Sequence, residues 1–503
     1  MHRRGRRFES GWLHSKARHP RRSGRSLPLD SAAGEEAGLA DHLTALDASF
    51  LELEENDPSS HMHIGWAMVF DPLPGGGTPS IDEVRELLEG RLSLLPRFRR
   101  RLSEPQTGGM SWPTWAEEDR FDISIHVRHA TLPRPGEAPE LLEWLGDFYS
   151  HRLDRAHPLW EMTLLDGLGE GRWAIAAKVH HCLVDGMSGS SVTSLILDAE
   201  PEPAPGSAGI LEAFGTGREE RNGSHGPLSL IAEGARAGVD LALHPRKLGG
   251  ALARSRSLAE LVRDELRGAP ASSLNVQIGA TRRMATVAVP LDEVKHVKGE
   301  LGGTVNDVVL AAATGGIRRL LRSRGEEPDP AGLRAMVPVS LRRASESLAL
   351  GNRVSSLFVD LPVSEADPLA RYRRTLEAAE TLKEGRQAAG VETFLDLAGV
   401  APPVLHATLA RLAYTPRLFN VTITNVRGPQ ATLYALGARL RRVIPMVPIF
   451  AYHAVGIAVA SYDGEVVFGL SADRGTVSDL DVLAEGIEES LRELGELCGE
   501  GAA

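Results

Sequence analysis

The sequence predicts an α/β protein made of two mixed-sheet halves, on three observations. At 503 residues the chain exceeds what one simple hydrophobic core organises. Short apolar runs with strand character alternate with longer segments of helical spacing on both sides of a Pro-, Gly-, Glu- and Ser-rich interruption at Asp198 to Gly226. No short repeat is evident, yet the two flanking segments carry the same mixture of elements, as two similar layered domains would.

The elements follow in order. Residues 1–40 are rich in Arg, Ser, Gly and His without apolar period, and read as a disordered basic arm. No apolar core follows the basic start, so a secretory signal is not expected. Residues 41–200 form the first domain. Ile64 to Phe70 reads as a strand, Ile81 to Leu95 as a helix stopped by Pro96, and Ile123 to Val127 as a short alternating run. Leu141 to Tyr149 is amphipathic and helical, and Trp173 to His181 is a strand. Residues 201–270 are a linker and helical crossover, with helical spacing over Leu228 to Leu266. Residues 271–498 form the second domain. Its strands are Thr286 to Val289, Leu333 to Val339, Arg353 to Leu361, Val421 to Thr424, His453 to Tyr462 and Glu465 to Ser471. Asp463-Gly464 joins the last two as a hairpin. Asn306 to Leu321, Leu369 to Gln387 and Leu480 to Leu497 are helical.

Composition narrows the function classes. Hydrophobic residues make up 42% and charged residues 24%, the balance of an ordinary globular protein. A formal net charge of −11 argues against nucleic acid as a partner and against broad attachment to anionic lipid. Two cysteines, Cys182 and Cys498, make no disulfide framework, which fits a reducing cytoplasm. No uninterrupted apolar run reaches the roughly 20 residues of a membrane-spanning helix, so any membrane contact is expected to be peripheral.

Chemistry concentrates in His180-His181-Cys182-Leu183-Val184-Asp185-Gly186. An apolar run precedes it and a small-residue run, Met187 to Leu197, follows, giving a strand, a tight turn and a helix. Strand alternation sends adjacent His180 and His181 to opposite faces, so only one serves a given pocket. An imidazole at a strand end accepts a proton at neutral pH. Asp185 lies in the turn and can orient or anchor it, while Gly186 and Gly189 admit a tight turn and close backbone approach to a ligand. Diverging histidines share a metal ion poorly, and no further ligand cluster supports one, so no metal is expected. Ser188, Ser190 and Ser191 lack a nucleophile elbow. Cys182 reads as a small buried residue behind the strand rather than a catalytic thiol.

This HHxxxDG pattern resembles that of the CoA-dependent acyltransferase superfamily. Further blocks resemble the bacterial wax ester synthase/diacylglycerol acyltransferase family: Leu43 to Phe50, Pro158-Leu159-Trp160-Glu161, Thr304 to Leu310, Val337 to Arg342, Gly351 to Val354 and Thr424 to Pro429. They run in the family's order over nearly all of the chain beyond the basic arm. The resemblance implies two similar domains of the CoA-dependent acyltransferase type, with the active site in a tunnel at their interface. It implies His181 as general base, with Asp185 and His180 completing the catalytic set. His180 is then core support, and Asp185 pairs with an Arg, for which Arg342 and Arg353 are candidates. Asn425, Asn306 and Gly186 are candidate substrate-binding or oxyanion residues. Asn306 and Asp307 also read as a helix N-cap pair. The implied activity transfers a long-chain acyl group from acyl-CoA, a substrate rather than a cofactor, to diacylglycerol. A fatty alcohol is the alternative acceptor, giving wax ester. A peptide or polyketide acceptor and a non-catalytic lipid-binding protein on the same fold are the remaining alternatives. The expected location is cytoplasmic, peripheral to membrane or lipid droplets.

Overall fold

Two six-stranded sheets organise the chain, and strands from the second half complete the sheet of the first. The computed structural model describes residues 43, 45–103, 113–183, 195–203, 209–210, 268–340, 354–383 and 418–500. The basic arm and the helical crossover expected over Leu228 to Leu266 lie outside them. The first half runs α1 (Ala45–Asn56), β1 (His63–Phe70), α2 (Ile81–Leu92), the ribbon β2 (Arg100–Leu102) and β3 (Trp115–Glu117), the single turn α3 (Ile123–His126), β4 (Val127–Thr131), α4 (Ala138–Ser150), β5 (Trp160–Asp166) and β6 (Trp173–His180). The second half runs β7 (Arg282–Pro290), α5 (Leu291–Leu301), α6 (Val305–Ser323), β8 (Leu333–Ser340), β9 (Val354–Leu361), α7 (Pro368–Lys383) and β10 (Val421–Arg427). It ends with β11 (Tyr434–Ala435), β12 (Ala438–Met446), β13 (Val455–Tyr462), β14 (Glu465–Asp473) and α8 (Leu480–Glu500).

The first sheet has the order β11-β12-β1-β6-β5-β4 and the second β7-β14-β13-β10-β8-β9. β6 is interior to its sheet and buried at every position, as its nearly continuous apolar sequence requires. Lys178 is its charged exception. Its ammonium donates to the carbonyls of Phe148 and His151, each at 2.9 Å, and lies 3.3 Å from Glu161. It thus serves orphan carbonyls at the end of α4, where a cation is favoured. Gly65 of β1 makes room for the same helix: a Cβ there would overlap the Tyr149 ring and stand 2.9 Å from the Ala177 carbonyl.

β12 ties the two halves together. It pairs antiparallel with β1, from Gly65 opposite Met446 to Ala67 opposite Ile444. Its neighbour in the second sheet is β14, where a Cβ on Gly469 would overlap the Pro445 carbonyl oxygen and stand 2.9 Å from its carbon. Only a residue without a side chain lets the two backbones approach so closely. Sheet membership therefore does not follow chain order, since residues 434–446 complete the sheet of the first half.

Several expectations need correction. Ile123 to Val127 is a helical turn leading into β4, because Asp122 caps it by accepting from the Ser124 amide at 2.9 Å. Thr304, not Asn306 or Asp307, is the N-cap of α6; Thr304 and Asp307 form a reciprocal capping box. Asp198 is not linker. Its amide and carbonyl pair with Tyr434 at 2.7 and 2.9 Å, and its buried carboxylate lies 2.5 Å from Arg91. α1, β2, β3, β4, β5, α5, β11 and β12 were not expected.

Gly469→Ala should lower unfolding stability by about 1–3 kcal/mol, the usual cost of overpacking. Chemical denaturation of the purified variant checks this, and an unchanged midpoint would show that the Pro445 backbone yields freely.

Candidate active site

The end of β6 is clipped by three backbone hydrogen bonds. The His180 amide donates to Leu159 at 2.9 Å, the His181 amide to Met62 at 2.8 Å, and the Leu183 amide to His180 at 2.9 Å. The strand therefore delivers His181 into a turn whose backbone is fixed on both sides. Leu159 belongs to the Pro158-Leu159-Trp160 block, and Trp160 is core: its indole donates to Phe98 at 2.8 Å and its ring stacks on His126.

The His181 ring packs on Phe50 of α1 with centroids 4.0 Å apart. Phe50 belongs to an apolar cluster with Met62 from the first half and Met336, Leu418, Phe419 and Phe450 from the second. The imidazole thus stands where the two halves meet. His181 is half-buried, and among the described residues its Nδ1 is enclosed without a hydrogen-bond partner. Burial first, then the neighbouring His180, lowers its pKa to about 4. The ring is neutral at pH 7.

His180 points elsewhere, as strand alternation requires, and is buried in a polar network. Its Nδ1 receives the Cys182 amide at 3.2 Å and lies 2.9 Å from the Cys182 sulfur. Its Nε2 lies 3.3 Å from Glu54, a buried carboxylate on α1. Arg155 reaches Glu54 at 2.9 Å and Arg152 at 3.3 Å. Burial alone would raise the Glu54 pKa, but the His180 and arginine contacts outweigh it and hold the carboxyl well below its ordinary range. Burial pushes the Cys182 thiol well up, so it stays protonated and is a poor nucleophile.

Asp185, Gly186, Gly189 and the three serines after the motif lie outside the described residues, as do Arg342 and Arg353. Asn306 and Asn425 are brought together: the Asn425 amide donates to the Asn306 side-chain oxygen at 3.3 Å, joining β10 to the first turn of α6. Among the described residues no hydrogen bond links this pair to His181.

Residues not singled out from the sequence complete the surroundings. Phe50 and Glu54 are four apart on α1, so one helix face touches both histidines. Their spacing was the available signal. On the other side of β1, His61, His63, Tyr149, Arg282, Met284 and Met446 line part of a small cleft between the sheets. His61 and His63 both approach the Tyr149 carbonyl, at 3.3 and 3.2 Å. Burial lowers both pKa values, that of His61 to about 4. His453, also buried, stacks on Phe419 at 4.1 Å.

With this geometry in hand, similarity to known proteins becomes interpretable. Residues 43–309 match the wax ester synthase/diacylglycerol acyltransferase catalytic domain, and residues 350–495 the WS/DGAT C-terminal domain. A probable diacylglycerol O-acyltransferase of Mycobacterium tuberculosis, tgs1, is 33% identical over 90% of this chain and 95% of its own length. A second, tgs2, is 35% identical over 90% and 98%. The wax ester synthase/diacylglycerol acyltransferase of Marinobacter aquaeolei superposes with a TM-score of 0.65 at 26% identity, over 91% of this chain and 99% of that one. The first condensation domain of the CDA synthetase shares the fold, with a TM-score of 0.55 at 18% identity over 92% and 97% of the two chains.

Glu54 makes stability depend on acid. Its folded pKa lies below the ordinary value of 4.5, so its contribution is complete above that pH and is lost as pH falls below it. Glu54→Gln should therefore destabilise at pH 7, by up to the roughly 3–5 kcal/mol of a broken buried pair, and should flatten the loss of stability below pH about 5. Denaturant unfolding of both proteins across that range measures it. Parallel curves would exclude Glu54 as the titrating group.

Proposed function

Because the chain belongs to the wax ester synthase/diacylglycerol acyltransferase family, we propose that it transfers a long-chain acyl group from acyl-CoA to the free hydroxyl of diacylglycerol, with His181 as general base. The product is triacylglycerol. The observation that carries the assignment is the neutral, half-buried His181 ring at the junction of the two halves, its Nδ1 enclosed, which leaves Nε2 for proton transfer in this reading.

The reaction asks little covalent chemistry of the protein. Nε2 takes the hydroxyl proton as that oxygen attacks the thioester carbonyl. The tetrahedral intermediate then collapses, the carbon–sulfur bond breaks, and CoA leaves as thiolate, to be protonated by the imidazolium. No enzyme-bound acyl group and no cofactor are needed, since acyl-CoA is itself the activated substrate. The apolar cluster of Phe50, Met336, Phe419 and Phe450 supports this reading by offering a water-poor wall beside the ring. The two substrates would meet His181 through a passage between the halves. Asn306 and Asn425, held together by their side-chain hydrogen bond, are the proposed substrate-binding or oxyanion pair.

Diacylglycerol is favoured as acceptor because the curated relatives carry that activity in their names. The family description admits long-chain alcohols as well. Among the described residues no helix is long and apolar enough to cross a membrane, so a peripheral position at a membrane or lipid-droplet surface is the proposed site of action.

A CoA-release assay with palmitoyl-CoA tests the reading against diacylglycerol, hexadecanol and a peptide-like amine. Diacylglycerol should be used best, and His181→Ala should lose turnover while its thermal unfolding stays cooperative. Use of no lipid alcohol by the parent protein would remove the assignment. Because the base is already unprotonated at neutral pH, the acidic limb of kcat/KM should fall near pH 4 rather than near 6.5. A limb centred near 6.5 would point to a different base.

A further inference from the structure

We propose that Glu54 and His180 are positioning residues that hold the turn carrying His181, by fixing which nitrogen of His180 bears its proton. The inference rests on the reading of His181 as the base and adds what keeps that base in place.

A backbone amide can only donate. The Cys182 amide points at His180 Nδ1 at 3.2 Å, and the Cys182 thiol, kept protonated by burial, offers a second donor at 2.9 Å. Nδ1 must therefore be the lone-pair nitrogen, which leaves the proton on Nε2. Nε2 lies 3.3 Å from the Glu54 carboxylate, an ion-pair distance outside hydrogen-bond geometry, where a proton on Nε2 is favoured by charge and a bare lone pair is repelled. The two ends of the ring thus demand the same tautomer. In that tautomer His180 bridges across His181, from its own position to the amide of residue 182. The opposite tautomer would set an N–H against the Cys182 N–H and a lone pair against a carboxylate.

The same helix braces the neighbouring ring. Phe50, one turn before Glu54, packs on His181 at 4.0 Å. Arg152 and Arg155 hold the Glu54 carboxylate in turn. Helix α1 therefore grips both histidines, one by charge and the other by packing. Neither Glu54 nor His180 touches the reacting atoms, so their loss should act on the turnover step through the placement of His181. A displacement of about 1 Å at a reacting group costs on the order of a hundredfold.

Two measurements test this. In protein labelled with ¹⁵N-histidine, the His180 ring should show an unprotonated Nδ1 and a protonated Nε2, assigned by its disappearance in His180→Asn. The reverse pattern overturns the proposal whatever the activity. In the palmitoyl-CoA assay, His180→Asn places an amide oxygen near the Nδ1 position and should keep kcat within about tenfold of the parent. His180→Gln places its polar group at the Nε2 end and should lose about a hundredfold in kcat with KM little changed. Equal activity of the two variants overturns the proposal, whereas an inactive parent would instead overturn the acyltransferase reading. If His180→Gln does not fold, Glu54→Leu replaces it: kcat should fall with KM little changed while Cys182 still holds Nδ1 unprotonated, and a parent-like kcat overturns the proposal.

Discussion

The contact on which the site depends is the buried ionic cluster of Glu54 with Arg152, Arg155 and His180. A carboxylate taken out of water is tolerated only when its oxygens are met by donors. Glu54, on helix α1, satisfies that condition with cationic or N–H-bearing groups from two further segments: the loop after α4 and the end of β6. Those segments are far apart in sequence, so the cluster orders the first half around the histidine turn. It also aligns α1 so that Phe50 reaches His181.

Strand exchange supplies the second constraint. β12 leaves the second half and completes the first sheet beside β1, while Gly469 lets its backbone press against β14. β1 is thus flanked by β6 on one edge and β12 on the other. The histidine turn follows directly from β6, and Met62, which receives the His181 amide, directly precedes β1. A shift of the second half relative to the first would therefore be transmitted to His181 through two adjacent strands. On the proposed mechanism, a base that meets two substrates at a junction would need such coupling.

How much of this was legible follows from the physics of each signal. β6 and its histidines could be read because a run from Trp173 to Val179 with one charge has no alternative to burial. The long helices α6 and α8 were legible from sustained period. β12 was not, although Ala438 and Leu440 alternate with Arg439 and Arg441, because three arginines and Pro445 disguise an interior strand. α5 follows β7 without a polar turn to mark the boundary. Around the motif, the opposite faces of His180 and His181 follow from strand geometry, but their partners do not. Glu54 lies 126 positions before His180, and only folding brings them together; a Glu among Glu52, Glu54 and Glu55 reads as a solvated helix face. Asn306 and Asn425 were each noted singly, and their hydrogen bond is a tertiary fact that no local pattern encodes.

The low pKa of His181 bears on why such a site suits a thioester. An imidazole that resists protonation is a weaker base than one titrating near neutrality, so proton transfer alone would be less favoured. The loss is offset by two features. Every ring is already in its accepting form at pH 7, and the acyl donor carries a good leaving group, so the attacking oxygen need not be fully deprotonated beforehand. Apolar enclosure that lowers the pKa also excludes water from an activated acyl chain, which limits hydrolysis. On the proposed mechanism, the burial that weakens His181 as a base is the same burial that would direct the acyl group to an alcohol, and the Glu54 cluster supports it by placing the charged groups around His180 rather than His181.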